Sequence, residues 1–335
     1  MILPKTLVYL AALVFLALPA SAQSLFVTSC GEDGEINATT RKAIDSVATS
    51  FIQAVLGSNP ASAFDTLSEE GRSGLTSGQL PALAGGIVRQ YEPKDVTLQH
   101  TYLIHLKGDS PGRVVCASDL SKPSGWESLR AASVPEQAYA ALSAEGVNNH
   151  LVFTVWLVPE KDAWKVQSFS LNVSSLADNG TMQLLDLARH EQARNHNFNA
   201  ALLYAAAQAT ADRGPNFQMG ITQSISEDMS KFVTPPDISG EPPFVWKNGG
   251  ITYKVLNIGP IAVGGKIYVI INHEVSPWQT DEQVDNWNKD LIKYFKHRFP
   301  EYSDVFSGTV VRANERRSNR GYGTVDELPS QELRH

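Results

Sequence analysis

The sequence predicts an α+β protein, in which N-terminal helices and a curved antiparallel sheet precede a helical hairpin and a small C-terminal α/β unit. Three observations support this class. Apolar residues recur at helical spacing near the N-terminus, apolar residues alternate along the next segments, and an alanine-rich stretch separates these from a second group of strands. With 42% hydrophobic and 19% charged residues, the 335-residue chain has enough apolar material for folded cores.

Residues 1–22 have the three parts of a secretory signal peptide. Lys5 precedes the apolar run Leu7–Leu18, and the small residues Ala20-Ser21-Ala22 follow. We therefore expect cleavage after Ala22 and a secreted or periplasmic protein. The apolar run is too short for a comfortable transmembrane helix and no later stretch is long enough, so we expect no transmembrane helix.

The two cysteines, Cys30 and Cys116, are predicted to pair as a disulfide in an oxidising compartment. Closing so long a loop would stabilise the fold by about 4–5 kcal/mol on chain-entropy grounds. Two alternatives stay open. The cysteines could be separate buried residues, or Cys30 could be lipidated, because Val27-Thr28-Ser29-Cys30 fits the loose pattern of a bacterial lipobox.

The first unit, residues 37–174, opens with helices. Thr39 or Thr40 is predicted to cap the first helix and Gly57 to end it. Asn59-Pro60 begins a second helix, and residues 79–89 form a short third one. The apolar residues of the first helix recur at helical spacing: Ile44, Val47, Ala48, Phe51, Ile52 and Val55.

Strands are predicted after Pro93. The period-two rule places alternate residues of the segment 96–106 on one face, namely Val96, Leu98, His100, Tyr102, Ile104 and Leu106. Residues 114–117 form a short strand, and residues 151–158 and 164–173 form a hairpin. Within residues 120–148 we expect an extra helical excursion.

Three segments of this unit carry a family resemblance: the helix AIDSVATSFIQAVL, the strand VTLQHTYLIHL and the hairpin LVFTVWLVPEKDAWKVQSFSLNV. Together they resemble the nuclear-transport-factor-like cone fold, which includes the SnoaL-like polyketide cyclases. The resemblance covers residues 37–174 and consists of patterns, with no signature motif. It implies a cone-shaped pocket, in which enzymes of that family use a carboxylate or a histidine as general base.

Residues 180–232 are predicted to form a helical hairpin, with a third helix within residues 216–232. The segment resembles a single tetratricopeptide repeat, with Asn195 near the turn between its helices. One repeat cannot bury its own face, so the hairpin is either a packed connector or a docking surface. The residues at repeat spacing are Leu184, Leu187, Ala188, Ala200, Tyr204 and Ala207.

Four prolines in residues 233–243 predict a stiff linker. Residues 244–328 then predict a small ββαβ unit, which resembles no family that we can name. Its helix begins with the capping box of Thr280 and Gln283 and ends at Pro300. Residues 329–335 are predicted to be a mobile tail.

The three long predicted strands of the first unit contain no Asp or Glu. His100 and Tyr102 are the only acid–base pair spaced to share a cavity, with Trp156 as a third pocket residue. Because a carboxylate base is missing, we predict an exported binding or assembly protein without catalytic activity. The alternative is an isomerase, cyclase or hydrolase, with His100 as base and Tyr102 as oxyanion donor in the cone pocket.

Candidate partner-binding residues lie in the C-terminal unit. Trp278 follows Ser276-Pro277 in a loop and could anchor a partner. Arg312, Arg316 and Arg317, with Arg320 nearby, could hold an acidic surface. The expected partner is another envelope or secreted protein, or a small apolar ligand.

Several classes of function are disfavoured. The net charge is −7, or −8 without the leader, whose only charged residue is Lys5, and such an acidic chain is a poor nucleic-acid binder. No cofactor is expected, because Gly265-Lys266 lacks the other residues of a phosphate-binding loop. No metal site is expected, because His190-Glu191 lacks the second histidine of a zinc-protease motif and two cysteines exclude an all-thiolate site.

Overall fold

The computed structural model describes residues 27–329, except 58, 109–111, 118, 123–124, 317 and 319. They form the predicted α+β class, with helices packed on antiparallel sheets. The predicted leader, residues 1–22, and the tail beyond residue 329 lie outside the described residues. No helix in the described ranges is long and apolar enough to cross a membrane.

The N-terminal unit combines helices with long strands. Its helices are α1 (Ala38–Leu56), α2 (Glu69–Gly74) and α3 (Gln79–Tyr91), with a 3-10 helix over Pro60–Thr66. Its strands are β1 (Val27–Glu32), β2 (Lys94–Leu106), β3 (Gly112–Ala117), β4 (Trp126–Ala131), β5 (Glu136–Glu145), β6 (His150–Glu160) and β7 (Ala163–Val173).

Two sequence predictions for the helices of this unit were wrong. Asn37 caps α1, because its side-chain oxygen accepts hydrogen bonds from the amides of Thr39 and Thr40, which had been the predicted caps. Residues 120–148 contain β4 and β5 where an extra helix was expected. Strand pairing on both sides of β5 overrides the helix propensity of its alanines. Gly57 ends α1 as predicted.

The first sheet has the strand order β1-β2-β5-β6-β7, with every neighbouring pair antiparallel. Helices α1 and α3 cover one face of it. The core beneath them is fully buried and includes Ile44, Phe51, Ile52, Leu142 and Phe153.

A β-bulge in β2 changes which of its residues share a face. The register with β5 shifts between Leu98 and His100. Leu98 therefore packs against the α1 core, whereas Tyr102 and Ile104 pack on the opposite face of the sheet. The ring of His100 lies 6.3 Å from that of Tyr102. The prediction of one continuous face from Val96 to Leu106 was thus wrong, because the bulge inverts the alternation.

A second sheet covers that opposite face. It consists of β3, β4 and a later strand, β10 (Phe217–Met219), in the order β10-β4-β3. Strand β10 (Phe217–Met219) comes from the connector and pairs with β4. The buried layer between the two sheets contains Ile104, Leu129, Tyr139, Trp156 and Phe217. The connector therefore completes the N-terminal unit.

The predicted disulfide is present. Cys30 on β1 is bonded to Cys116 on β3, with a Cα–Cα distance of 5.4 Å, so it joins the first sheet to the second. Such a bond is compatible with an extracellular or periplasmic protein. It also argues against lipidation, because it uses the Cys30 sulfur that a lipid anchor would need.

The connector consists of α4 (Thr181–Ala193), α5 (Asn197–Ala211) and α6 (Ile221–Ser230), preceded by the short strands β8 (Ser175–Leu176) and β9 (Asn179–Gly180). Asn195 takes a left-handed conformation in the turn between α4 and α5. Helix α5 is largely buried, and its core is continuous with that of the C-terminal unit. The helices therefore pack as a connector.

The C-terminal unit contains β11 (Phe244–Asn248), β12 (Ile251–Val263), β13 (Lys266–Val275), α7 (Asp281–Arg298), β14 (Gly308–Glu315) and β15 (Gly321–Glu327). The strands form one sheet in chain order, and α7 links the parallel pair β13 and β14. The predicted ββαβ core is present, and β11 and β15 extend it at the two edges. The Thr280–Gln283 capping box begins α7 as predicted.

Candidate functional site

A groove of about 1170 Å³ runs along β7, which is an edge strand of the first sheet. Residues 167–171 form its floor. Leu75, Leu83 and Ile87, from the α2–α3 region, line one wall. The opposite wall includes Arg130 from β4 and Asn216 from the connector.

The two sides of β7 differ in polarity. Phe169 and Leu171 pack toward the α1 core, with the ring of Phe169 5.1 Å from that of Phe51. On the other side, the Ser168 hydroxyl accepts a hydrogen bond from the side-chain amide of Asn216, and the Ser170 hydroxyl donates one to the carbonyl of Arg213. The groove is therefore apolar toward the helices and polar toward the connector.

The outer edge of β7 is covered only at its start. The carbonyl of Val166 accepts a hydrogen bond from the Ser68 amide at 2.9 Å, where α2 packs on the strand. Farther along, no described residue outside β6 bonds to the main-chain amides or carbonyls of residues 168–171. This part of the strand edge faces the groove with its outward amides and carbonyls unpaired by another strand.

The three predicted pocket residues do not share this groove. Trp156 lines it, where its indole stacks on Tyr139 at 5.6 Å and donates a hydrogen bond to Oε1 of the Gln137 side chain. His100 and Tyr102 are not among the lining residues. They lie instead in a separate polar cluster near the disulfide.

We call this group the His100 cluster; it comprises Glu32, Asp33, His100, Tyr102 and Glu127. The Nδ1 atom of His100 lies 3.2 Å from Oε1 of Glu32 and 3.0 Å from Oδ2 of Asp33. Glu127 lies on β4, in register with Cys116. The conclusion that no carboxylate lies near His100 was therefore wrong.

These acids were missed for two reasons. Glu32 and Asp33 belong to β1 and the turn after it, which sequence analysis did not predict as part of the sheet. Glu127 lies in the region predicted to be helical. The alternation of Glu127, Leu129 and Ala131 was the signal that could have placed this carboxylate on the inner face of a strand.

Burial and charge shift several pKa values in and beside this cluster. Burial, reinforced by the negative charge of Glu32, raises the pKa of Glu127 to about 7, although His100 opposes the shift. Burial and the nearby carboxylates also raise the pKa of Tyr102. Burial lowers the pKa of Arg213 to about 10, with Asp212 and Tyr102 acting in the opposite direction. The cluster thus places three carboxylates, all half-buried, close to an exposed imidazole.

The space beside the His100 cluster is small. A cavity of about 180 Å³ is lined by Glu32, Asp33, Glu35 and both disulfide cysteines. Ligand pockets usually have volumes of about 300–1,000 Å³. This cavity suits an ion with its water molecules better than an organic ligand.

Two groups of described residues place His and carboxylate ligand atoms within 4.8 Å of one another. One is Glu32, Asp33 and His100. The other is Glu191, His196 and Asp304, which joins the connector to the C-terminal unit. In this second group Arg194 contacts Glu191 at 3.0 Å and Asp304 at 2.8 Å, so a guanidinium already neutralises both carboxylates.

The predicted partner-binding residues of the C-terminal unit are partly engaged within the chain. Trp278 is half-buried, and the Arg320 guanidinium lies 4.7 Å from the centre of its ring and 2.7 Å from Asp281. Arg312 and Arg316 are exposed and form no ion pair with a described residue. Arg317 lies outside the described residues.

A scan against protein-family models and a search of curated proteins found no match to this chain. The resemblances to the cone fold and to a tetratricopeptide repeat therefore remain predictions. Inferences about function depend on the geometry of the groove and of the His100 cluster.

Proposed function

We propose that this is an exported, non-catalytic binding protein that holds an extended segment of another secreted or envelope protein along β7. The supporting observation is that the open edge of β7 forms the floor of the groove of about 1170 Å³. The groove also lacks the His100–Tyr102 pair on which the enzymatic alternative depends. The disulfide supports the proposed extracytoplasmic location.

An extended segment matches the groove because its main chain can form hydrogen bonds with the unpaired amides and carbonyls of β7. Unpaired amides and carbonyls at a sheet edge readily bond to another strand, and main-chain bonds of this kind supply affinity in strand addition. The five residues 167–171 span about 17 Å, so the bound segment has about five or six residues in contact.

The two walls determine the preferred sequence of the segment. Side chains of an added strand follow the pleat of β7, so alternate residues face the two walls. Side chains of the bound segment that face Leu83 and Ile87 are expected to be apolar. Side chains of the segment that face Ser168, Ser170 and Asn216 are expected to be polar. We therefore expect a segment in which apolar and hydrogen-bonding residues alternate.

Selection from a displayed library of random decapeptides tests this proposal. The full mature protein should enrich peptides with the alternating pattern, and a selected peptide should shift the NMR amide signals of residues 168–171. The variant Leu83→Asp places a charge in the apolar wall and should weaken binding at least about tenfold, equivalent to about 1.4 kcal/mol. Val88→Asp is the matched control, since Val88 lies on the same helix outside the groove and is similarly exposed, at 39% against 45% for Leu83.

Failure to enrich any alternating peptide would overturn the proposal, and so would equal losses of affinity in the two variants. An apolar dye that binds the groove while no selected peptide does would instead favour the small apolar ligand. Circular dichroism and thermal melts establish that both variants remain folded.

A further inference from the structure

We propose that Glu32, Asp33 and His100 form a binding site for a divalent transition-metal ion of the zinc class. The site is separate from the β7 groove and does not depend on the proposed function. Its ligand atoms would be Oε1 of Glu32, Oδ2 of Asp33 and Nδ1 of His100, with water completing the coordination.

The spacing of these atoms fits a metal centre. The imidazole nitrogen lies 3.2 Å and 3.0 Å from the two carboxylate oxygens. Ligands at about 2.0–2.2 Å from a tetrahedral zinc ion lie about 3.3 Å from one another. An ion could therefore replace the proton between these groups with little movement of the side chains.

The outer contacts of Asp33 leave its proposed ligand atom available. Oδ1 of Asp33 accepts a hydrogen bond from the Thr101 amide at 3.0 Å and faces the Arg41 guanidinium at 3.1 Å. These two donors fix the carboxylate with Oδ2 directed at His100. Such outer contacts commonly orient metal ligands.

Glu127 adds a third carboxylate to the cluster. It comes from the second sheet, is half-buried, and interacts electrostatically with Glu32 and His100. No described side chain donates a hydrogen bond or forms an ion pair with its carboxylate. The cluster thus contains a third carboxylate, which interacts with both Glu32 and His100.

In the second histidine–carboxylate group, a cationic side chain already neutralises the carboxylates. There, Arg194 bridges Glu191 and Asp304, and Asn199 donates a further hydrogen bond to Glu191 at 2.7 Å. In the His100 cluster no cationic side chain of the described residues lies between Glu32 and Oδ2 of Asp33. Arg41 contacts only the outer oxygen of Asp33, so the oxygens of Glu32 and Asp33 that face His100 have no guanidinium between them.

The donor set selects the class of metal. An imidazole nitrogen with carboxylate oxygens suits zinc and neighbouring transition metals, whereas Ca²⁺ and Mg²⁺ prefer oxygen ligands throughout. The nearby cysteines do not contribute, because both sulfurs are in the disulfide. We expect Zn²⁺ to bind and Ca²⁺ and Mg²⁺ to bind much more weakly.

Calorimetric titration of the chelator-treated mature protein with Zn²⁺ tests the site. We expect one equivalent to bind the wild type, and affinity to fall at least about 100-fold in His100→Ala and in Asp33→Asn. His105→Ala is the matched control, because His105 is an exposed histidine of the same strand that faces a single carboxylate, Glu136, at 3.5 Å. It should bind Zn²⁺ like the wild type.

Two results would overturn the proposal: no Zn²⁺ binding by the wild type, or unchanged binding in both His100→Ala and Asp33→Asn. A His196→Ala variant checks the second group, and a loss of binding there alone would assign the ion to that group and refute the proposed site. The thermal melt of each variant without metal shows whether it is folded, so a failure of folding is not counted as a loss of ligand.

Discussion

The imidazole of His273 donates a hydrogen bond through Nε2 to Oδ1 of Asn288, at 2.7 Å, between β13 and α7. The direction follows from the amide of Asn288, whose Nδ2 donates to the carbonyl of Val311 and the hydroxyl of Thr324. Both side chains are almost completely buried. Burial lowers the pKa of His273, although the hydrogen bond to Asn288 opposes this shift.

This pair predicts a loss of stability in mild acid. The unfolded chain takes up the histidine proton below pH about 6.5, whereas folded His273 resists it, so the unfolded state binds more protons. The free energy of unfolding should therefore fall as the pH decreases from 7 to 5, by at most about 1.4 kcal/mol per pH unit from this group. Urea unfolding should show a smaller decrease in His273→Gln and an unchanged decrease in the exposed control His105→Gln. Equal slopes in all three proteins would contradict the assignment.

Glu127 predicts a pH effect of the opposite sign in chelator-treated protein. Its folded pKa of about 7 lies above its ordinary value of 4.5. Its favourable contribution to the free energy of unfolding is therefore complete below pH about 4.5 and is lost as the pH rises through 7. Glu127→Gln should stabilise the protein by about 1 kcal/mol at pH 8, a value reduced for partial exposure, with little effect at pH 4.5. Glu145→Gln, at an exposed site, should change neither value. Destabilisation at pH 8 by Glu127→Gln would show that the ionised carboxylate has a favourable partner.

The Cys30–Cys116 bond predicts a large stability difference between oxidised and cysteine-free protein. The cysteines are 86 residues apart in sequence, so the bond restricts the unfolded chain strongly. Replacing both by alanine should lower the free energy of unfolding by about 2–5 kcal/mol, measured with urea. Intact mass of the mature protein provides a separate check. A diacylglycerol adduct on Cys30 would contradict the disulfide and favour the lipid-anchored alternative.

Gly71 predicts a steric limit where α2 packs on β7. A Cβ atom there would lie 2.7 Å from the carbonyl oxygen of Val166, which is too close for van der Waals contact. Gly71→Ala should therefore destabilise the protein by about 1–3 kcal/mol. Gly74→Ala, on the same helix with no atom within 4 Å of the added methyl, should be neutral or stabilising by up to about 1 kcal/mol. Thermal melts of the two variants distinguish steric contact from a general effect of glycine replacement.

Sequence reasoning succeeded where one local pattern determines structure. Apolar spacing located α1 and α7, and the Thr280–Gln283 capping box marked the start of α7. The β-prone segments 151–158 and 164–173, separated by the polar turn Pro159-Glu160-Lys161-Asp162, located the β6–β7 hairpin. The disulfide was predictable because two cysteines in a chain predicted to be exported have only each other as partners within the chain.

The remaining features depend on contacts between distant segments. The bulge after Leu98 changes the face of β2, and single-sequence periodicity does not reveal it. Alanines that favour a helix in isolation lie in β5 because strands flank it on both sides. The acids of the His100 cluster come from β1, the turn after it and β4, and neither strand was predicted. The groove was equally inaccessible, since it is bounded by α2, α3, β7 and the connector.

The pairing of β10 with β4 has a consequence for biogenesis. Residues 217–219 emerge from the ribosome or the translocation channel well after the strands they cover, so Tyr139 and the adjacent apolar layer stay exposed until the connector arrives. In a fragment that stops at residue 174, that apolar surface would remain exposed to water. We therefore expect the fragment to aggregate. Truncations intended to isolate the N-terminal unit should therefore extend through α6.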